Sequence, residues 1–370
     1  MKKVLFVATT AKSHINTFHL PHIKNFKDNG WIVDVATNGD EKVLYADKEF
    51  ALPISRNPFK FGNISAILKL IKIMKTQKYD LILCHTPMGG VVARASAFFS
   101  KSAPIIYVAH GFHFYKGAPF INNIYKFIEK FLAHVTDAII TMNKEDFEAA
   151  KKFTLRKSGK VYKIPGIGID TKKFLNLKMQ TDKKKKRNEL GINENSIVIL
   201  NVAEMIKRKN QKTILKAFAK IKCDNAILLI CGRGKLEKNL KQLAKKLNVS
   251  HKVKFLGFRN DIGEILFASD IFVFPSFQEG LPLAVMEAMS CNIPVICSDI
   301  RGNKDLIIDG ENGFLIPFND INGFAQKIEQ LCKDKVLRDK IGKRSTNLIL
   351  KYDISNVIDI MNKIYAQVLD

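Results

Sequence analysis

Short runs of Ile, Val and Leu recur along the chain with almost no polar alternation, and helical patterns separate them. In the first half they fall at Val4–Ala8, Trp31–Ala36, Leu81–Cys84, Ile105–Ala109, Ala138–Thr141 and Val161–Ile164. In the second half they fall at Ile197–Val202, Ala226–Ile230, Val253–Leu256, Ile271–Phe274, Pro294–Cys297 and Gly313–Ile316. A strand that is apolar at every position needs cover on both faces, which parallel βαβ sheets provide. Two such series predict an α/β chain of two doubly wound, Rossmann-like domains. The length of 370 residues also exceeds one ordinary core, and 46% hydrophobic residues suffice for two.

The seam is expected at Pro165-Gly166-Ile167-Gly168-Ile169-Asp170, which closes the first series ahead of a basic polar stretch. The predicted domains are 1–168 and 169–352, followed by a helix over 353–370 with apolar residues at Ile354, Val357, Ile358, Met361, Ile364, Tyr365 and Val368. Ligands of open α/β sheets bind at the carboxyl ends of the strands, so two facing sheets would hold one ligand in the cleft between them.

The cysteines Cys84, Cys223, Cys231, Cys291, Cys297 and Cys332 lack zinc or redox spacing. Cys84, Cys231 and Cys297 lie in strand-like runs and read as buried thiols of a protein in a reducing cytosol. The start, Met1 to Ala8, reads as a buried strand because polar residues from Thr9 follow too soon for a signal peptide. No stretch reaches the roughly 18 apolar residues needed to span a bilayer. The net charge of +25 calls for an anionic partner, either nucleic acid or a membrane surface. The densest run, Lys183 to Arg187, reads as part of a solvated helix.

One segment carries more chemistry than the rest: Phe274-Pro275-Ser276-Phe277-Gln278-Glu279-Gly280-Leu281-Pro282-Leu283-Ala284-Val285-Met286-Glu287. A buried strand stops at Pro275, a polar loop follows, and a helix starts near Pro282, a residue suited to the first helical position. Such a helix start offers N–H groups and partial positive charge to phosphate or sugar oxygens. Glu279 sits in the loop and Glu287 on the helix, so both carboxylates can face one ligand.

The segment resembles the E-x7-E signature of family 4 glycosyltransferases of GT-B fold, and other stretches extend the resemblance over nearly the whole chain. Thr10 to Pro21 follows the first strand, Ala109-His110-Gly111-Phe112-His113-Phe114-Tyr115-Lys116-Gly117 lies mid-domain, and Ile164 to Asp170 marks the hinge. They are most similar to bacterial enzymes of exopolysaccharide and capsule assembly. The resemblance implies an N-terminal acceptor-binding domain rejoined by the C-terminal helix, and a C-terminal domain that binds a nucleoside diphosphate sugar. Lys209 matches the lysine that grips the diphosphate, with Arg208 or Lys207 compensating for Glu204, where many relatives have arginine. The backbone of Gly280, Leu281, Pro282 and Leu283 completes the clamp, Glu287 takes the ribose hydroxyls, and Glu279 touches the transferred sugar. His110, at the carboxyl end of a buried strand, is expected to bond the donor sugar and steady developing charge. Gly232 and Gly234 form a turn set against the nucleotide, and Arg259 lies beside the base. Ser13, His14 and Asn16 are expected to meet the acceptor or the diphosphate, and His113, Tyr115 and Lys116 the acceptor.

The resemblance further implies a retaining, front-face transfer, with no carboxylate nucleophile beneath the sugar. No Asp-x-Asp constellation accompanies the donor loop, so neither metal nor cofactor is expected. The expected substrates are a UDP-sugar and an isoprenoid-linked saccharide. Lys69, Lys72 and Lys75 recur amid Ile, Leu and Met, and seven aromatic residues lie amid lysines between Phe112 and Leu132. Both patterns suit a cytoplasmic enzyme resting on the anionic inner face of the plasma membrane. Two other readings compete, a GT-B sugar-nucleotide epimerase and a basic nucleic-acid-binding protein. The first does not need the transfer motifs, and no nucleic-acid-binding signature supports the second.

Overall fold

The apolar runs pair in parallel throughout, as strands without a solvent face must. The structure, a computed structural model, describes residues 1–39 and 41–370, with Ser158 described by its backbone alone. The chain divides into two units, Met1–Gly168 with Ile354–Asp370, and Ile169–Asp353.

The first unit has a seven-stranded sheet made of β1 (Lys3–Thr10), β2 (Ile32–Asn38), β3 (Lys48–Ala51), β4 (Leu81–His85), β5 (Ile105–Ala109), β6 (Ala138–Thr141) and β7 (Lys160–Lys163). Their order is β3-β2-β1-β4-β5-β6-β7, which puts the topological switch point between β1 and β4. Sequence patterning overlooked β3. It is a sheet edge with exposed Lys48, Glu49 and Ala51, so no continuous apolar run marks it. The stretch after β1 is helical. A wide π-type turn over Ala11–Ile15 leads through Asn16–Phe18 into the helix Leu20–Asp28.

The helix Pro87–Ser100 carries Arg94 into the apolar interior of this unit, where it is fully buried. Its Nη1 lies 2.8 Å from Oε2 of Glu129, itself buried on the helix Asn123–Ala133. The Arg94 guanidinium stacks 4.0 Å from the Tyr107 ring centre, and its Nε donates to the Gly90 carbonyl at 3.0 Å. The Arg94–Glu129 pair thus ties the second helix down by its inner face, leaving Phe127 and Phe131 outward at 71% and 69% exposure.

The second unit has a six-stranded sheet made of β8 (Ile197–Val202), β9 (Ala226–Cys231), β10 (Val253–Gly257), β11 (Ile271–Phe274), β12 (Val295–Ser298) and β13 (Gly313–Ile316). The order β10-β9-β8-β11-β12-β13 puts its switch point between β8 and β11. Alternate residues feed two cores. Val198, Leu200, Phe272, Phe274 and Val295 pack on one face, and Ile199, Ile271, Val273 and Ile296 on the other. This two-sided burial is what the uninterrupted apolar runs encode.

The basic run departs from its solvated reading. It forms the helix Lys183–Glu189, where Lys183, Lys184 and Lys185 are exposed but Lys186 and Arg187 are buried. Lys186 meets Asp261 at 3.0 Å, Glu264 at 2.5 Å and Glu189 at 3.0 Å, and Arg187 meets Asp270 at 2.7 Å. Apart from Glu189, on the same helix, these acids lie far along the chain, so local composition could not reveal them. All six cysteines are free thiols, and five of them are buried. Among the described residues, no helix is long and apolar enough to cross a membrane.

Candidate functional site

In the second unit the loops after β8 and β11 flank the switch point. β11 ends at Phe274, and the loop from Pro275 leads into the helix Leu283–Ser290. Pro282 is the residue before this helix rather than its first member, and no side chain caps the helix start. Its leading N–H groups are therefore available to an anion.

After β8, Lys207–Lys209 form a single tight turn that is stitched to this loop. The Phe277 N–H donates to the Arg208 carbonyl at 2.8 Å, and Arg208 Nη1 donates to the Gln278 carbonyl at 2.8 Å. Asn210, at φ +54°, donates to the Pro275 carbonyl at 3.0 Å and to the Phe318 carbonyl at 3.1 Å. The loop is further held by Arg301, whose Nε donates to the Glu279 carbonyl at 3.2 Å. Gly302, at φ +79°, lets its backbone approach Gly280 so closely that a Cβ would lie 2.4 Å from the Gly280 carbonyl oxygen.

This framework brings Glu279, Lys209 and Arg208 together. Glu279 Oε1 accepts from Lys209 Nζ at 2.7 Å and from Arg208 Nη1 at 3.0 Å. Burial lowers the Lys209 pKa, the Glu279 charge opposes that shift, and the Arg208 charge adds to it. Glu204 is exposed at the entrance of the same turn. Gly232 and Gly234 are demanded by backbone approach, because a Cβ at either would lie 2.0 Å or 2.4 Å from the carbonyl oxygen of Ala203 or Met205. Arg259 is engaged within its own loop, where Nε and Nη2 donate to both oxygens of Asp261 at 2.8 Å and 2.6 Å. That contact, helped by Lys186, holds the Asp261 carboxyl down at about 2.

Glu287 follows on the helix Leu283–Ser290. Burial pushes its carboxyl up to about 7, against the pull of Lys173. Its side chain receives no hydrogen bond from the described residues, so it is available to hydroxyl donors. A carboxyl that is neutral in the fold at a pH where it ionises in the unfolded chain weakens the fold progressively between pH 4.5 and 7. Glu287→Gln is therefore expected to stabilise this unit by roughly 2–3 kcal/mol at pH 8 and hardly at all at pH 4. Chemical denaturation at the two pH values reads this difference, and equal effects at both would refute it.

In the first unit, the carboxyl ends of β1, β4 and β5 bring His14, His19, His85 and His110 together. The His14 and His110 rings meet edge to face at 4.6 Å between centres, and those of His19 and His85 lie 4.0 Å apart. Burial lowers the pKa of all four; neighbouring histidines further depress His19, His85 and His110, and the Arg56 charge further depresses His14. His110 Nε2 lies 3.4 Å from His85 Nδ1. Thr86, beside His85, holds φ +63°, and its hydroxyl accepts from the Thr9 N–H at 3.0 Å.

The neighbouring side chains diverge. Ser13 bonds Thr10 at 2.7 Å, and Asn16 donates to the Lys42 carbonyl at 2.9 Å. The exposed His113 packs on Tyr125 at 5.0 Å between ring centres. The backbone N–H of Lys116 donates to Glu145 at 2.7 Å, and the Tyr115 carbonyl accepts from Ala118. Sequence reasoning did not single out His19, His85, Asn210 or Arg301. A histidine ending an apolar strand, as His85 does, looks like core until its neighbours are known.

Two family models cover most of the chain. Residues 182–348 match glycosyl transferases group 1, and residues 3–143 match glycosyl transferase 4-like. EpsD of Bacillus subtilis (strain 168), assigned as a glycosyltransferase, is 39% identical over 100% of this chain and 97% of its own length. The UDP-Gal:alpha-D-GlcNAc-diphosphoundecaprenol alpha-1,3-galactosyltransferase of Escherichia coli is 31% identical over 86% of this chain and 84% of its own. The crystal structure of Anabaena HepE in complex with UDP and glucose shares the fold, at a TM-score of 0.83 and 22% identity over 99% of this chain and 100% of that one. The parallel strand order of both units and these likenesses agree, and this chain belongs to the family 4 glycosyltransferases of GT-B fold.

Proposed function

We propose that this glycosyltransferase moves one sugar, with retained configuration, from a UDP-sugar to an isoprenoid-linked saccharide during cell-surface polysaccharide assembly. The observation that carries this reading is the Lys209–Glu279–Arg208 cluster beside an uncapped helix start at the switch point of the second unit. It is a cationic site with a carboxylate at its centre, as a diphosphate bonded to a sugar requires. The Escherichia coli relative, named for UDP-Gal and a diphosphoundecaprenol acceptor, supports both substrate classes.

In this reading the second unit binds the donor and the first unit the acceptor. Lys209, Arg208 and the backbone from Gly280 to Leu283 bear the diphosphate, whose charge grows as the glycosidic bond breaks. Glu279 keeps the buried Lys209 charged before the donor arrives, then accepts from a sugar hydroxyl. Glu287 accepts from the ribose. His110, neutral at pH 7 through burial, serves the sugar as a hydrogen-bonding partner rather than a cation. No carboxylate nucleophile is assigned, so the leaving phosphate takes the acceptor proton on the attacked face. Positioning and electrostatics then supply the rate, and no divalent ion takes part.

The test is nucleotide release from UDP-, GDP- and ADP-sugars, with and without an isoprenyl-diphosphate sugar in detergent, with and without EDTA. UDP release from one donor, raised by acceptor and unchanged by EDTA, is expected. GDP or ADP release, or dependence on a metal, would overturn the donor class or the metal-free mechanism.

The reading also places the first unit on an anionic membrane. Its helix Gly62–Gln77 buries Ala66, Leu70 and Met74 while exposing Ile64, Leu68, Lys69, Lys72 and Lys75. The helix Asn123–Ala133 adds the exposed Phe127 and Phe131. Apolar groups with flanking lysines suit the headgroup boundary. Replacing both phenylalanines by serine is expected to weaken binding to anionic vesicles at least tenfold, as read by vesicle sedimentation. Equal binding by the variant would remove this helix from the membrane surface.

A further inference from the structure

Five of the chain's eight histidines, His14, His19, His22, His85 and His110, gather at the switch point of the first sheet. One ring nitrogen from each of His14, His19, His85 and His110 lies within 4.8 Å of the other three. The closest pairs are Nε2 of His19 with Nε2 of His14 at 3.2 Å, and Nε2 of His110 with Nδ1 of His85 at 3.4 Å. Four nitrogens bound tetrahedrally at roughly 2.0–2.1 Å from a zinc ion stand about 3.3 Å from one another. We infer that His14, His19, His85 and His110 form a binding site for one divalent transition ion of the Zn2+ type.

The chemistry of the cluster fits that ligand. A neutral imidazole has one donor and one acceptor nitrogen, and four rings facing inward cannot satisfy one another fully. The His85 Nε2, the ring nitrogen not paired with His110, is buried and has no hydrogen-bond partner among the described residues, so the cluster leaves this ring's hydrogen-bonding capacity partly unmet. The set offers imidazole alone, which suits Zn2+, Co2+ or Ni2+ and not the oxygen-seeking Mg2+ or Ca2+. An apolar and hydrogen-bonded outer shell orients it. Phe6 stacks on His85 at 5.7 Å, and His22, beside His19, bonds the Ile167 carbonyl at 3.0 Å.

Two features temper the affinity. The nearby Arg56 charge acts on His14 and opposes a cation. The 4.8 Å span also exceeds the tetrahedral edge, so at least one ring must shift by about an ångström on loading. Loading would also occupy the ring of His110 and so inhibit transfer. That consequence rests on the function proposed above, whereas the binding itself does not.

The full chain is titrated with Zn2+ in equilibrium dialysis and with Co2+ by visible absorption. One ion per chain is expected, with the strong visible band of four-coordinate Co2+, which Zn2+ abolishes and Mg2+ leaves unchanged. His85→Gln, and His14→Gln on the more exposed turn, are each expected to weaken binding at least tenfold and to lose the band. His14→Gln decides the matter if His85→Gln fails to fold, as followed by circular dichroism. Absence of stoichiometric uptake, or wild-type affinity in the folded variants, would overturn the site whatever the outcome of the transfer assay.

Discussion

Lys209→Ala is expected to lower kcat/KM for the nucleotide sugar by roughly 10²–10³-fold, the size of effect that follows loss of one preorganised donor to developing charge. The Lys209 ammonium is largely buried and lies 2.7 Å from Glu279, so it is held in place before any substrate arrives. A flexible surface lysine would have to be ordered first and would contribute less. The fold should tolerate the change, because Arg208 continues to pair with Glu279 at 3.0 Å. Lys209→Arg keeps the charge but replaces a compact ammonium with a planar fork, so it should recover only part of the rate. Steady-state kinetics at saturating acceptor, with donor affinity by calorimetry, separate the two contributions. A change in kcat/KM below threefold for Lys209→Ala would remove this lysine from the donor site.

Glu129→Ala should destabilise the first unit by roughly 3–5 kcal/mol, since it strands the fully buried Arg94 without its counter-charge. The Tyr107 ring at 4.0 Å offers the guanidinium a polarisable face but no anion. The double variant Arg94→Met/Glu129→Leu removes both charges and should recover most of the loss, because two well-packed apolar residues need no desolvation. The chain's one tryptophan, Trp31, lies in this unit and packs on Phe26 at 5.2 Å. Its fluorescence in urea therefore follows the first unit within a two-unit chain whose overall unfolding need not be two-state. Single and double variants of equal stability would show that the pair acts independently of its charge.

The fold was legible because burial on two faces leaves a local mark. Runs such as Ile197–Val202 and Ile271–Phe274 became neighbouring strands whose alternate residues enter two cores. The edge strand β3 left no such mark, since half its backbone and most of its side chains face away from the core. Glu279, Glu287 and Lys209 stood out through motif resemblance, and the loop and helix carrying the two glutamates formed much as their spacing implied. Lys186 and Arg187 misled for the opposite reason. A run of basic residues looks solvated unless the acids that meet it, Asp261, Glu264 and Asp270, are known to come close.

Periodicity along the chain by itself determined two parallel, doubly wound sheets, the strands that build them apart from β3, and the loop that precedes the helix Leu283–Ser290. Tertiary structure alone decided which charges and rings meet. Lys209 reaches Glu279 across a sequence separation of 70, and His85 reaches His110 across one of 25. Backbone pattern reflects burial, which neighbours a few residues apart reveal. A partner for a buried charge or a ring nitrogen is chosen by which strand ends the sheet order brings side by side, and that order is not written in any local window.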